Sequence, residues 1–276
     1  MKKLLLVLVP AVLLLTSCLG DSDSSDPPPQ EYYFTNTFIV INNQGRALIG
    51  ITEEFVDMYR KNGEIAVEGV SVNHGGDGSI TITVDFDVLT SKTDKYPDFK
   101  DYQGKISIAV TGLEPNNIEG IEKVIDLGNL KFNDYTYGIH SYGGLIRVLG
   151  NPEGIEPNAE IYDVSYENFS LTSNNTSEKV WSISYSYQHK HTADQDIFMY
   201  GNGTGTHSAF KSFRVYLDKH IVKKKDLRYI SEGAYQFFAE SIGVDSFEAE
   251  YGKAGDGSIV ITCVDKTVHV YQQALL

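Results

Sequence analysis

Two histidines and two aspartates that lie close together in the sequence are the clearest candidates for chemistry. His189 and His191 are two residues apart, so in a strand both side chains would project from the same face. If Thr192–Gln195 turns a hairpin, Asp194 and Asp196 return near the two imidazoles. Imidazoles and carboxylates are ligands of Zn²⁺ and related divalent ions. The four side chains are therefore a candidate metal site, and a solvated polar hairpin tip is the alternative.

An aromatic stripe precedes these histidines. The segment Val180–Tyr187 reads VWSISYSY, so Trp181, Tyr185 and Tyr187 would share one face of a strand. If exposed, these rings could stack on a ligand such as a sugar; if buried, they belong to the core. The apolar Ile183 within the stripe, and the presence of only one Trp in the whole chain, favour the core.

Motifs of known catalytic types are missing from the sequence. It contains neither G-x-S-x-G nor H-E-x-x-H. The glycine-rich segment Gly201–Thr206 lacks the Lys-Ser/Thr pair of a phosphate-binding loop, so its glycines are expected to bend a strand or admit a bulky neighbour. We predict a protein that is not an enzyme and has no cofactor. A hydrolase that uses a pair of carboxylates is an alternative, because 37 acidic residues offer many pairs.

The composition is that of a folded and acidic protein. The chain has 276 residues, of which 23 are Lys or Arg and 37 are Asp or Glu, so its formal charge is −14. A surface that binds nucleic acid needs the opposite charge, and we expect no nucleic-acid partner. The two cysteines are too few for a disulfide scaffold or a Cys-rich zinc module.

Alternation of apolar and polar residues with a period of two predicts an all-β fold. We expect about ten to thirteen short antiparallel strands in a meander, sandwich or roll, among them a strand at Thr35–Asn42. One short helix is predicted near residues 52–62, with Thr52 as its N-cap and Gly63 as its stop. A boundary within the β region, if there is one, is expected near residues 151–158.

The N-terminus has the pattern of a signal peptide. Lys2 and Lys3 precede the apolar run Leu4–Leu15, which is too short to span a bilayer comfortably. The run ends in LTSC at residues 15–18, which resembles the lipobox of bacterial lipoproteins. This resemblance implies that residues 1–17 are removed and that Cys18 carries acyl lipid such as palmitate.

Residues 18–30 contain the lipid-bearing cysteine and a tether rich in Ser, Asp and Pro, and residues 31–276 form the predicted all-β region. Acidic and Ser-rich residues directly after the cysteine resemble surface-export signals of Bacteroidetes lipoproteins, with a plain spacer as the alternative. We expect a chain anchored by its lipid in the outer membrane, facing the periplasm or the cell surface. The membrane is then a partner through the N-terminal lipid.

Glycine and aromatic landmarks in the last two thirds of the chain resemble those of β-rich outer-membrane lipoproteins of Bacteroidetes. The landmarks are DYQGKISIAVTG at 101–112, Trp181, YGNGTGT at 200–206, YISEG at 229–233 and EYG at 250–252. The resemblance implies a β fold and a place in the cell envelope, and no activity is established for the group. We expect a non-catalytic binding or structural role. The alternative is a glycan-binding accessory lipoprotein, and the choice between a protein and a glycan partner stays open.

Overall fold

A computed structural model describes residues 27–92, 95–113, 121–134, 138–150, 159–227, 229–243, 246–254 and 257–272. The described residues form two α-helices, thirteen strands and a 3₁₀ turn at Pro97–Phe99. The elements in chain order are α1 (Gln30–Asn62), β1 (Val70–His74), β2 (Ile80–Asp85), α2 (Phe86–Lys92), β3 (Tyr102–Thr111), β4 (Glu122–Asp134), β5 (Gly138–Gly150), β6 (Ala159–Ser173), β7 (Lys179–Thr192), β8 (Gln195–His207), β9 (Lys211–Lys224), β10 (Glu232–Ala239), β11 (Phe247–Tyr251), β12 (Ser258–Thr262) and β13 (Val268–Gln272).

All thirteen strands belong to one open sheet. Their order across the sheet is their order along the chain, and each neighbouring pair is antiparallel. The prediction of an all-β fold of about ten to thirteen antiparallel strands is therefore confirmed, and of the meander, sandwich and roll that it left open, the sheet is a meander. The strands in the middle of the sheet, β4 to β9, are longer than expected, because each has 13 to 15 residues.

The helix α1 is much longer than predicted and includes the segment for which a strand was expected. Residues 35–42 are helical, and within them Phe38 and Ile41 are buried whereas Val40 is 44% exposed. Thr52 lies inside the helix and is not its N-cap; its hydroxyl donates a hydrogen bond to the Leu48 carbonyl. The predicted strand at Thr35–Asn42 and the predicted start of the helix were both wrong.

The end of α1 is where the sequence predicted it. Gly63 follows the helix with a φ of 73°, a left-handed conformation that glycine adopts without a steric penalty. Its N–H donates a hydrogen bond to the Tyr59 carbonyl at 2.7 Å, which closes the last turn.

The helix crosses the sheet from β13 towards β1. Near its start, the ring of Tyr32 lies 4.1 Å from that of Tyr271 on β13, and six residues further on Phe38 packs on Tyr185 of β7. Near its end, the Tyr59 hydroxyl lies 3.4 Å from a histidine on β1. A helix of 33 residues is about 50 Å long, close to the roughly 58 Å width of thirteen strands. One helix therefore crosses nearly the whole width of the sheet.

Some sequence-based predictions lie outside the described residues. These are the signal peptide at 1–17, lipidated Cys18, most of the tether at 18–30, and the boundary near 151–158. On either side of the last segment, β5 and β6 pair along most of their length within the same sheet. No helix among the described residues combines the length and the apolar character needed to span a membrane.

Candidate functional site

The hairpin of β7 and β8 brings three of the four predicted metal ligands together. The turn is closed by Thr192, whose hydroxyl accepts the Gln195 N–H at 3.1 Å and donates to the Gln195 carbonyl at 2.9 Å. This turn places His191 directly opposite Asp196 in the sheet register. Asp194 is exposed at the tip, away from the cluster, and its backbone carbonyl accepts the N–H of Lys225.

The two histidines converge on a single carboxylate oxygen. Asp196 Oδ1 lies 3.0 Å from His189 Nε2 and 2.7 Å from His191 Nδ1. The three donor atoms lie within 4.8 Å of one another, and all three residues are partly buried. Burial acts to raise the pKa of Asp196, but the two imidazole contacts outweigh it and lower that pKa to about 2. The carboxylate is therefore ionised at neutral pH.

The predicted aromatic stripe continues into this cluster from the core. Residues 181, 183, 185, 187, 189 and 191 alternate along β7 and so share one face, the face that α1 covers. Trp181, Tyr185 and Tyr187 are only 3% to 5% exposed. Of the two alternatives for these residues, the structure thus shows the one that the sequence favoured, because their rings pack within the core and do not form an exposed stacking surface.

The glycines of β8 explain how the rings of the stripe fit. A Cβ on Gly201 would lie 2.2 Å from the Tyr185 hydroxyl, and a Cβ on Gly205 would lie 2.4 Å from the Phe213 ring. The glycine-rich segment therefore admits bulky neighbours, as the sequence indicated. Its role in the structure is packing.

A cleft of about 700 Å³ lies between α1 and the sheet, beside the His–Asp cluster. Its walls combine apolar side chains with charges of both signs. The lining includes Arg46, Glu53, Asp57 and Arg60 on α1 and Lys123, Glu160, Tyr162, Tyr187, His189, His191, Asp196, Phe198 and Lys223 on the sheet.

One end of the cleft contains a buried ion pair. Lys123 Nζ lies 2.6 Å from both carboxylate oxygens of Glu53, and the lysine side chain is only 4% exposed. The ammonium also lies 5.1 Å from the centroid of the Tyr162 ring. The Tyr162 hydroxyl donates to Glu160, and burial, with a further contribution from this bond, raises the pKa of Tyr162. These charges are compensated within the protein.

Arg46 is different, because no carboxylate of the described residues forms an ion pair with it. Its guanidinium carbon lies 3.8 Å from the centroid of the Phe198 ring. Its Nε is buried and has no hydrogen-bond acceptor among the described residues. The guanidinium hydrogen-bonds the side chains of Tyr187 and Tyr235, and its neighbours also include the buried Tyr166 and Tyr185.

The sequence reasoning missed every cleft residue on α1. A helical spacing was present, since Arg46, Glu53, Asp57 and Arg60 are separated by seven, four and three residues and so lie on one side of a helix. Three of these residues lie in the helix predicted at 52–62, but Arg46 lies before its predicted start, so the stripe was not recognised. Lys123 had no local signal, since its partner Glu53 is 70 residues away.

Comparison with models of known protein families, with curated proteins and with solved structures found none that matches this chain.

Proposed function

We propose that this protein is a non-catalytic binding protein of the bacterial cell envelope, and that the cleft between α1 and the sheet binds a small ligand with an anionic group. The observation that carries the proposal is the position of Arg46. It is a cation without a carboxylate partner among the described residues, in the wall of a cleft of about 700 Å³.

The size and chemistry of the cleft suit a small organic molecule. Pockets of roughly 300–1,000 Å³ are typical of small-molecule sites, and they combine apolar walls with a few polar groups that orient the ligand. Phe198 and Tyr187 line the cleft next to Arg46, although only 4% and 5% of these residues is exposed. A molecule with a flat apolar part and one acidic group would contact the aromatic residues with the first and Arg46 with the second.

Electrostatics favour an anion at Arg46. An arginine stays protonated under all ordinary conditions, and the tyrosine hydroxyls that hydrogen-bond Arg46 are neutral, so they do not balance its charge. Two other charged side chains of this cleft have partners within the protein, since Lys123 forms an ion pair with Glu53 and Asp196 contacts two histidines. A carboxylate, sulfonate or phosphate on the ligand would provide the negative partner that Arg46 lacks.

The location in the envelope is proposed from the N-terminal sequence. The lipobox-like LTSC ending at Cys18 and the Ser/Asp/Pro-rich segment after it support a lipid anchor in the outer membrane. A tethered body with a net negative charge is repelled by anionic headgroups, which would keep its cleft accessible to solutes.

The two alternatives from the sequence have less support. Glycan stacking required an exposed aromatic face, and Trp181, Tyr185 and Tyr187 are buried. A hydrolase with an acidic pair requires two carboxyl groups free to act on a substrate. Two carboxylates of this cleft, Glu53 and Asp196, are already engaged by Lys123 and by the histidines.

Two fluorescent probes with the same aromatic character but different charge test the proposal. The anionic probe is anilinonaphthalene sulfonate, and the uncharged one is phenylnaphthylamine. We expect the full-length chain to bind the sulfonate at one site. Arg46→Met should weaken sulfonate binding about tenfold, because it removes a charge-assisted contact, and should leave the uncharged probe nearly unaffected.

Arg214→Met is the matched control. Arg214 also lies over a phenylalanine, with its guanidinium carbon 5.1 Å from the Phe238 ring centroid, but it is exposed and outside the cleft. This variant should bind both probes like the original chain. Equal losses in the two variants, or a sulfonate affinity that does not depend on Arg46, would contradict the proposal. Circular dichroism of each variant shows whether the fold is kept.

A further inference from the structure

The His–Asp cluster at the end of the cleft has the composition of a transition-metal site. His189 and His191 come from one strand and Asp196 from its neighbour, so the sheet itself positions all three donor atoms. Each residue is partly buried, with 22% of the His189 and Asp196 side chains exposed and 42% of His191. Donors held by a rigid sheet and only partly exposed to water lose little freedom when they bind an ion.

The distances between the donors are close to those that a metal requires. Zinc binds imidazole nitrogen and carboxylate oxygen at about 2.0–2.2 Å, which places tetrahedral ligand atoms roughly 3.4 Å apart. Here the carboxylate oxygen lies 2.7 Å and 3.0 Å from the two ring nitrogens. Small side-chain rotations, without any change in the backbone, open these contacts enough for an ion to enter between them.

We infer that His189, His191 and Asp196 bind a divalent first-row transition-metal ion such as Zn²⁺, with the remaining coordination position open to the cleft. Two imidazoles distinguish this site from calcium and magnesium sites, which are built from oxygen ligands. Three protein ligands leave one position of a tetrahedral ion for water or for a ligand atom. This inference does not depend on the proposed function, because the metal alone is the probe.

The groups around the cluster define how it switches between the metal-free and the metal-bound form. An ionised Asp196 only accepts hydrogen bonds, so the facing nitrogens of both histidines are the donors in the metal-free form. His191 Nε2 then accepts from Lys225 Nζ, which lies 3.2 Å away. When Nδ1 of His191 binds a metal, the proton moves to Nε2, which can no longer accept from Lys225. The Lys225 ammonium therefore favours the metal-free form.

Thermal unfolding and cobalt spectroscopy on the full-length chain test this inference. Excess Zn²⁺ should raise the melting temperature by roughly 5 °C or more at a hundredfold excess over the dissociation constant, and a chelator should reverse the shift. Co²⁺ should give saturable visible absorption at one equivalent. His189→Ala and Asp196→Asn should each weaken binding at least tenfold, whereas His220→Ala, at an exposed histidine outside the cluster, should not.

A pair of lysine variants separates coordination at His191 from general electrostatics. Lys225→Met should tighten Zn²⁺ binding about threefold or more, because it removes both the competing donor and a nearby positive charge. Lys224→Met removes the same charge one residue away, at an exposed position without this contact, and should have a smaller effect. The inference is overturned if Zn²⁺ leaves the melting temperature unchanged, or if the His189 and Asp196 variants bind it like the original chain.

Discussion

At the residue scale, the charges of the cleft are defined by the partners they have. Glu53 and Glu54 are adjacent on α1, and each forms an ion pair with a lysine on the other side of the cleft or beside it. The partner of Glu53 is Lys123, whose side chain is 4% exposed, whereas the partner of Glu54 is Lys95, which is 55% exposed. The two Glu–Lys ion pairs are therefore chemically alike but differ in how deeply the lysine is buried.

Neutralising these two glutamates should have unequal effects on stability. Glu53→Gln leaves the buried ammonium of Lys123 without its counter-charge, and we expect a loss of about 2 kcal/mol in the free energy of unfolding. Glu54→Gln breaks a solvent-exposed pair and should cost less than about 1 kcal/mol. Urea unfolding of both variants measures the difference. Equal losses would show that the burial of Lys123 does not matter to the pair.

His207 should make the stability of the chain depend on pH. Burial lowers its pKa from the ordinary value of 6.5 to about 4, and its Nδ1 accepts the Ala209 N–H at 3.1 Å, which requires an unprotonated nitrogen. Between pH 6.5 and 4 the unfolded chain binds a proton that the folded chain does not. The free energy of unfolding should therefore fall as the pH falls through this window.

The variant His207→Asn keeps an acceptor for the Ala209 N–H and removes the titration. We expect the loss of stability between pH 7 and pH 4.5 to be smaller in this variant by roughly 1 kcal/mol, after allowance for partial exposure. His220→Asn, at an exposed histidine, is the control and should keep the original pH dependence. An unchanged pH dependence in the His207 variant would disprove the role of this residue.

At the element scale, the contact between α1 and the sheet depends on one glycine. A Cβ on Gly45 would lie 2.5 Å from the hydroxyl oxygen and 2.6 Å from the adjoining ring carbon of Tyr166. Tyr166 is 2% exposed and packs against the rings of Phe169 and Tyr187, so it has little room to move. The absence of a side chain at position 45 allows the helix to approach β6.

Two glycines of the same helix provide a matched test of this close approach. Gly50→Ala should stabilise the chain by about 0.5–1 kcal/mol, because alanine favours the helix and nothing lies within 4 Å of the new methyl group. Gly45→Ala has the same propensity gain but forces Tyr166 away, and a net loss of about 1–2 kcal/mol is expected. Guanidinium unfolding checks both values, and a stabilising Gly45→Ala would contradict the packing described for α1.

The sequence predicted strands better than the helix that covers them. Alternation in VWSISYSY identified the buried face of β7, because each strand shows its period locally. The helix was partly mistaken for a strand because apolar residues crowd together at 38–41, which imitates a buried strand. Its true length follows from the width of a sheet of thirteen strands, and a local window of sequence does not contain that information.

The sequence likewise predicted some residues of the candidate site and missed others. His189, His191 and Asp196 were predicted together because one short hairpin carries all three. Arg46 and Lys123 were missed because their surroundings are assembled from α1 and from strands far away in the chain. Local chemistry was therefore accessible from the sequence, whereas the compensation of charges across the cleft required the fold.

At the scale of the whole molecule, the proposed attachment to the membrane requires a lipid anchor. Removal of the signal peptide with Lys2 and Lys3 would leave 21 basic and 37 acidic residues, a body whose charge of −16 does not favour an anionic membrane. Cys18→Ala should therefore abolish the incorporation of a palmitate analogue into the chain in cells. Metabolic labelling followed by immunoprecipitation measures this, with Cys263→Ala as the control. Labelling that persists in the Cys18 variant would refute the lipid anchor.

A small acidic ligand in the cleft beside Arg46 would be found in the protein as cells make it. Native mass spectrometry of the mature lipidated chain, extracted gently from the membranes of those cells, tests whether this ligand is present. We predict a single adduct of small-molecule mass, bound one to one, that carries an acidic group and is lost from Arg46→Met but kept in Arg214→Met. A chain that shows only its own mass, or an adduct that both variants keep, would contradict the account.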